Sequence, residues 1–148
     1  MTFKSEEYEA MRAWSALMIE YVMPIPSHLP PEAHPIACLD EMARVSSSRA
    51  RQGLAMMIGD LIEASEAVSG QRLLQLDQVL NEANLPTLSD MRLKFGRRMK
   101  RILKAGVIKS EVDYYAVRNA VEGLSNEADR TRLWNLLAAC EARVTSGS

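Results

Sequence analysis

Apolar residues return every three or four positions along most of the chain, the spacing that puts them on one face of an α-helix. From Ser5 to Val22 the stripe is Met11, Trp14, Met18 and Tyr21. Ser5 is the expected N-cap there, with Glu6 and Glu7 complementing the positive end of the helix. The pattern stops at Pro24. Five of the six prolines (Pro24, Pro26, Pro30, Pro31 and Pro35) fall within twelve residues, and proline fixes φ and removes a donor, so 24–35 reads as an extended connector. Pro35 suits the first position of a second helix, whose apolar face is Ile36, Leu39, Met42 and Ala43.

A stronger stripe follows at Leu54, Met57, Ile58, Leu61, Ile62, Ser65 and Val68. The run Ser46–Ser48 leaves open whether 36–69 is one helix or two, and Gly70 reads as a C-cap. Leu73, Leu76, Val79, Leu80 and Ala83 mark a further helix closed by Asn84 and Pro86. Ser89 is the expected cap of a helix running to Ala105 and stopped by Gly106. Ser110 with Asp113 resembles a capping box and opens a helix to Glu122 and Gly123. Ser125 is the expected cap of the last helix, with Leu133, Leu136, Leu137 and Cys140 as its buried stripe and Trp134 beside it. Val107-Ile108 is too short to build a sheet. The expected fold is all-α: a single domain over 1–144, a bundle of six to seven short helices with the proline-rich connector after the first, and a frayed polar tail at 145–148.

Composition supports this. The chain has 148 residues, 47% of them apolar and 25% charged, a globular balance at one-domain length. Cys38 and Cys140 match no zinc or redox spacing, and no disulfide framework is available. The N-terminus carries Glu6, Glu7 and Glu9 where a signal peptide needs a basic, then apolar, run. The apolar stretches 13–22 and 54–62 are broken by Glu20 and Asp60, short of a spanning helix. A reducing, cytoplasmic setting with no membrane contact is the expectation.

A net charge of −1 hides a split. Residues 1–90 carry six Lys or Arg against 13 Asp or Glu, whereas 91–148 carry 12 against six. Eight cations and no acid lie between Arg92 and Lys109. On one helix over about 89–105, Leu88, Met91, Phe95, Met99 and Ile102 would share a buried face. Lys94, Arg97, Arg101 and Lys104 would share another, widened by Arg98 and Lys100. Cations so close repel, which calls for an opposite charge nearby. That charge is either the chain's own acidic half, with Asp60, Glu63 and Glu66 spaced as a ridge, or a partner. Arg-rich faces suit carboxylate recognition, so the preferred functional reading is a regulatory module binding an acidic protein through Lys94, Arg97, Arg98, Arg101 and Lys104. The alternative places the same side chains on nucleic-acid phosphates. A helix-turn-helix is disfavoured, because the helix after Gly106 opens with Glu111 and Asp113, carboxylates where the bases would lie.

Chemistry-bearing motifs are sparse. His34 and Cys38 are four apart but separated by Pro35, with no further zinc ligands to name. Asp60, Glu63 and Glu66 lack the Glu-x-x-His pairs of di-iron bundles. No Gly-x-Ser-x-Gly and no phosphate-cradling glycine loop is present. A helical enzyme without a recognisable motif, its site near His28 or His34, is the second alternative; no catalytic residue, metal or cofactor is assigned. Met56 and Met57 point about 100° apart on a helix, so one leaves the core stripe. Together with the proline-rich arm, that leaves a homodimer open.

Overall fold

The computed structural model describes residues 3–146. Eight α-helices and two short 3₁₀ turns occupy them, with no strand among the described residues; the protein is all-α. With 36–69 as two helices the count reaches the upper expectation of seven, and it becomes eight because 89–105 is also two. Backbone contacts divide the chain into two compact units, Met1–Ala67 and Val68–Ser148.

The first unit holds a 3₁₀ turn Ser5–Glu7, α1 (Tyr8–Val22), a 3₁₀ turn Pro31–Ala33, α2 (Pro35–Val45) and α3 (Ser47–Ala64), with α3 packed on both α1 and α2. Ser5 is not the cap of α1. It sits in the 3₁₀ turn, and the Glu7 carboxylate reaches back to accept the Lys4 N–H at 2.9 Å. Met11, Trp14, Met18 and Ile19 are buried, each side chain adding roughly 1.5–3 kcal/mol of apolar burial. Tyr21, expected in that stripe, is half exposed at the end of α1, as is Met42 on α2. Pro35 opens α2 as expected, and the His34 imidazole caps it, Nδ1 accepting the Ile36 N–H at 3.0 Å. Ser46 settles the 36–69 question: it is extended, and its hydroxyl accepts the Arg49 N–H at 3.2 Å as the cap of α3. Met56 is the outward member of the Met pair, 72% exposed.

The second unit holds α4 (Gly70–Glu82), α5 (Leu88–Phe95), α6 (Arg97–Ala105), α7 (Glu111–Val121) and α8 (Glu127–Ser146). Its core gathers Met99, Ile102, Ile108, Val117, Ala120, Val121, Leu124, Leu133 and Leu137, with Leu93, Leu103, Tyr114, Leu136 and Cys140 packed against it. Three expected caps move. Gly70 opens α4 instead of closing the preceding helix. Thr87, not Ser89, caps α5, in a reciprocal box with Asp90. Asn126, not Ser125, caps α8, its Oδ1 accepting the Asp129 N–H at 3.0 Å. Ser110 caps α7 as the sequence indicated, accepting the Asp113 N–H at 3.1 Å. Of the tail expected to fray, Thr145 and Ser146 belong to α8; Gly147 and Ser148 lie outside the described residues.

Each unit contains one carboxylate whose proton affinity is displaced, and the directions are opposite. Asp40 is gripped at both oxygens by Arg12, Nε–Oδ1 2.7 Å and Nη2–Oδ2 2.6 Å, and this hydrogen bonding holds its pKa below the ordinary 3.8. The stability it adds is present above 3.8 and lost as pH falls through the folded value. Asp77 on α4 is buried, and desolvation pushes its pKa above 3.8 against hydrogen bonds from Ser89 and Leu88 and the charge of Arg92. Stability from this group is full below 3.8 and is lost as pH rises through the folded value. Asp40→Asn should therefore destabilise at neutral pH by up to about 1 kcal/mol, since the pair is partly exposed. Asp77→Asn should be better tolerated relative to wild type at neutral pH than in acid. Thermal unfolding of both variants at neutral pH and near pH 4 checks the two signs.

Candidate functional site

The basic segment is not one helix. Gly96 separates α5 from α6: its backbone is extended, and its N–H closes the last bond of α5 onto the Arg92 carbonyl at 2.8 Å. A Cβ at 96 would sit 2.5 Å from that same carbonyl oxygen, so the close approach that ends α5 requires glycine. The expected continuous helix over 89–105, with a single cationic face, is corrected accordingly. Lys94 belongs to α5, and Arg97, Arg98, Arg101 and Lys104 belong to α6.

Within α6 the expected two faces do form. Met99 and Ile102 are buried, while Arg97, Lys100, Arg101 and Lys104 are exposed and Arg98 is partly so. Five cations thus occupy nine residues, about 13 Å of helix. Lys104 stands in the last turn, where the helix dipole favours a cation. Arg97 and Arg98 are the first two residues, at the positive end, where a cation is disfavoured. No acidic residue offsets them in that turn.

The five predicted site residues differ in their commitments. Arg101 is a structural partner: its Nη2 donates to Asp113 Oδ1 at 2.8 Å, and that carboxylate is nearly buried at the start of α7. The intramolecular acid that the structure gives this arginine is thus twelve residues ahead of it, on the next helix. Arg97 and Arg98 also have partners. The Lys94 ammonium lies 5.2 Å from the centre of the Phe95 ring. Lys100 and Lys104 form no ion pair among the described residues.

Lys94 also lines a groove of about 400 Å³ with Asp90, Leu93, Leu103, Ser125, Asn126, Asp129, Arg132 and Leu133. One wall of it is held by a polar network at the start of α5. Asp90 accepts the Thr87 N–H through Oδ2 and the Ser125 N–H through Oδ1, and Ser125 Oγ donates to Oδ2 at 2.7 Å. Thr87 Oγ1 donates to the Gly123 carbonyl at 2.7 Å. Beneath this, Asp77 accepts from the Leu88 N–H at 2.8 Å, the Ser89 N–H at 3.3 Å and Ser89 Oγ at 2.6 Å. A carboxylate from α4 therefore does what an N-cap does, at the positive end of α5.

Sequence reasoning missed Asp77, Gly123 and Arg132. Asp77 carried a signal, an acid inside the apolar stripe Leu73, Leu76 and Leu80. Gly123 and Arg132 carried none. On α7, Tyr115 is 54% exposed. Tyr114 is partly buried and donates its hydroxyl to Glu141 at 2.6 Å, which raises the phenol's pKa. The Arg118 guanidinium covers the half-exposed Trp134 ring at 5.3 Å.

Elsewhere, His34 is used as a cap and Cys38 is exposed, its thiol directed to the Glu32 carbonyl at 3.6 Å. No group of three or more His, Cys, Asp or Glu in a metal-holding arrangement occurs among the described residues. Nor is any described helix long and apolar enough to cross a membrane. Comparison with known proteins finds no protein family, no curated protein and no solved structure that matches this chain.

Proposed function

We propose that the protein is a binding module that engages an acidic protein surface through α6 and the end of α5, with Lys94, Arg97, Arg98, Arg101 and Lys104 as donors and without a cofactor. One observation carries this reading: α6 places five cations in nine residues, two of them at the helix end that repels them. The unit around it has 13 Lys and Arg against nine Asp and Glu, a balance of +4, whereas Met1–Ala67 stands at −5 with five against ten.

Lys100 and Lys104 are the clean handles, being exposed and unpaired, whereas removing Arg101 would strand the Asp113 carboxylate. A fluorescein-labelled polyglutamate peptide at about 50 mM salt should bind wild type and bind Lys100→Ala/Lys104→Ala about tenfold more weakly. Equal binding to both proteins, or none to either, overturns the proposal. A labelled DNA duplex is titrated in parallel. Binding of the duplex alone, with a log–log salt slope near −4 for four to five phosphate contacts, would transfer the same side chains to nucleic acid.

A further inference from the structure

We infer that the groove between α5, α6 and the start of α8 binds a small zwitterion, a free amino acid or a compound of that kind with one ammonium and one carboxylate. The inference does not depend on the acidic-partner reading, with which it shares only Lys94. Two acids and two cations line the groove, Asp90 and Asp129 with Lys94 and Arg132. Asp90 and Lys94 are four residues apart on α5, and Asp129 and Arg132 three apart on α8. Helix neighbours at these spacings ordinarily pair. Here they do not: among the described residues no ion pair joins any of the four.

Their other contacts explain why. The Asp90 carboxylate is drawn to the start of its own helix by the Thr87 N–H, and to Ser125 by that residue's N–H and hydroxyl. The Lys94 ammonium stands by the Phe95 ring. The Asp129 carboxylate and the Arg132 guanidinium make no hydrogen bond among the described residues. Opposite charges that share a groove without neutralising each other match a ligand that carries both signs. Asp129 offers its whole carboxylate to an ammonium, and Asp90 Oδ1 has accepted a single bond and can take another. Arg132 and Lys94 offer donors to a carboxylate. So does the Asn126 amide, whose oxygen is already taken by the Asp129 N–H. A ligand of one sign meets as much repulsion as attraction here, whereas a zwitterion can satisfy one sign at each end. Leu93 and Leu103, both partly covered, add hydrocarbon for a short aliphatic part. The volume of about 400 Å³ lies at the lower end of pockets that enclose a small ligand, roughly 300–1,000 Å³.

Three probes separate the charges: L-valine, L-valinamide, which lacks the carboxylate, and isovalerate, which lacks the ammonium. Each is titrated into the full ¹⁵N-labelled chain at neutral pH while the amide signals are followed by NMR. Valine should shift the signals of Ser125, Asn126 and Asp129 saturably, and each single-charge analogue should bind about tenfold more weakly for want of one charge-assisted contact. Arg132→Gln should weaken valine about tenfold and leave valinamide unchanged, because only the carboxylate end loses a donor. Asp129→Asn should weaken valine to a similar degree and leave isovalerate unchanged. The same spectra report folding; if Asp129→Asn disturbs signals throughout the unit, Arg132→Gln, at an exposed position, decides alone. No saturable shift with valine up to about 10 mM overturns the proposal. So does an analogue that binds as tightly as valine, or valine binding that the folded variants leave unchanged.

Discussion

Asp77→Ala is expected to lower the stability of the Val68–Ser148 unit by about 3–5 kcal/mol, measured by urea unfolding. The side chain is 4% exposed and accepts three hydrogen bonds, two from backbone N–H groups at the start of α5 and one from Ser89 Oγ. Alanine leaves all three donors without an acceptor in a site that water reaches poorly, and each stranded donor costs about 1–3 kcal/mol before the losses overlap. Asp77→Asn should fall within about 1 kcal/mol of wild type, because an amide oxygen can still accept and a buried charge is removed. The contrast between the two variants is the test. If Asp77→Ala also costs under about 1 kcal/mol, the carboxylate is not what holds α5 to α4.

Gly123→Ala is expected to cost about 3 kcal/mol, at the upper end of ordinary overpacking. Gly123 is not left-handed, so alanine's backbone preferences are satisfied there. The obstacle is space: an added methyl group would overlap the Asp77 carboxylate and stand 2.5 Å from Ser89 Oγ. Because the methyl strikes the group that Asp77→Ala deletes, the double variant should be markedly less unstable than the sum of the singles, a coupling visible in a double-mutant cycle. Strict additivity would mean that the methyl is accommodated by movement of the turn after α7 instead.

The sequence made the all-α class plain because its apolar stripes are long and helical in period, and the buried faces of α3, α4 and α8 fall where the stripes put them. Element boundaries were less legible for a specific reason. Ser46, Thr87, Ser89, Ser125 and Asn126 are all competent caps, and which of them serves depends on what each side chain meets in three dimensions. Ser89 and Ser125 are drawn away to Asp77 and Asp90, leaving Thr87 and Asn126 to cap. Gly96 reads as a tolerated glycine inside a helical pattern; only the approach to the Arg92 carbonyl shows that it ends one helix and begins another. For the site, the charge run was visible at once. The division of its members was not: Arg101 is committed to Asp113 only because the Gly106 turn folds α7 back onto α6.

The two arginines that begin α6 have one further consequence. Nine residues are too few for a helix to persist on its own strength, and this one starts with two cations at its positive end. Both arginines already have partners in the folded chain, so an acidic surface arriving at that end would have to draw them away from contacts they already make. Its affinity would then be the difference between two sets of contacts.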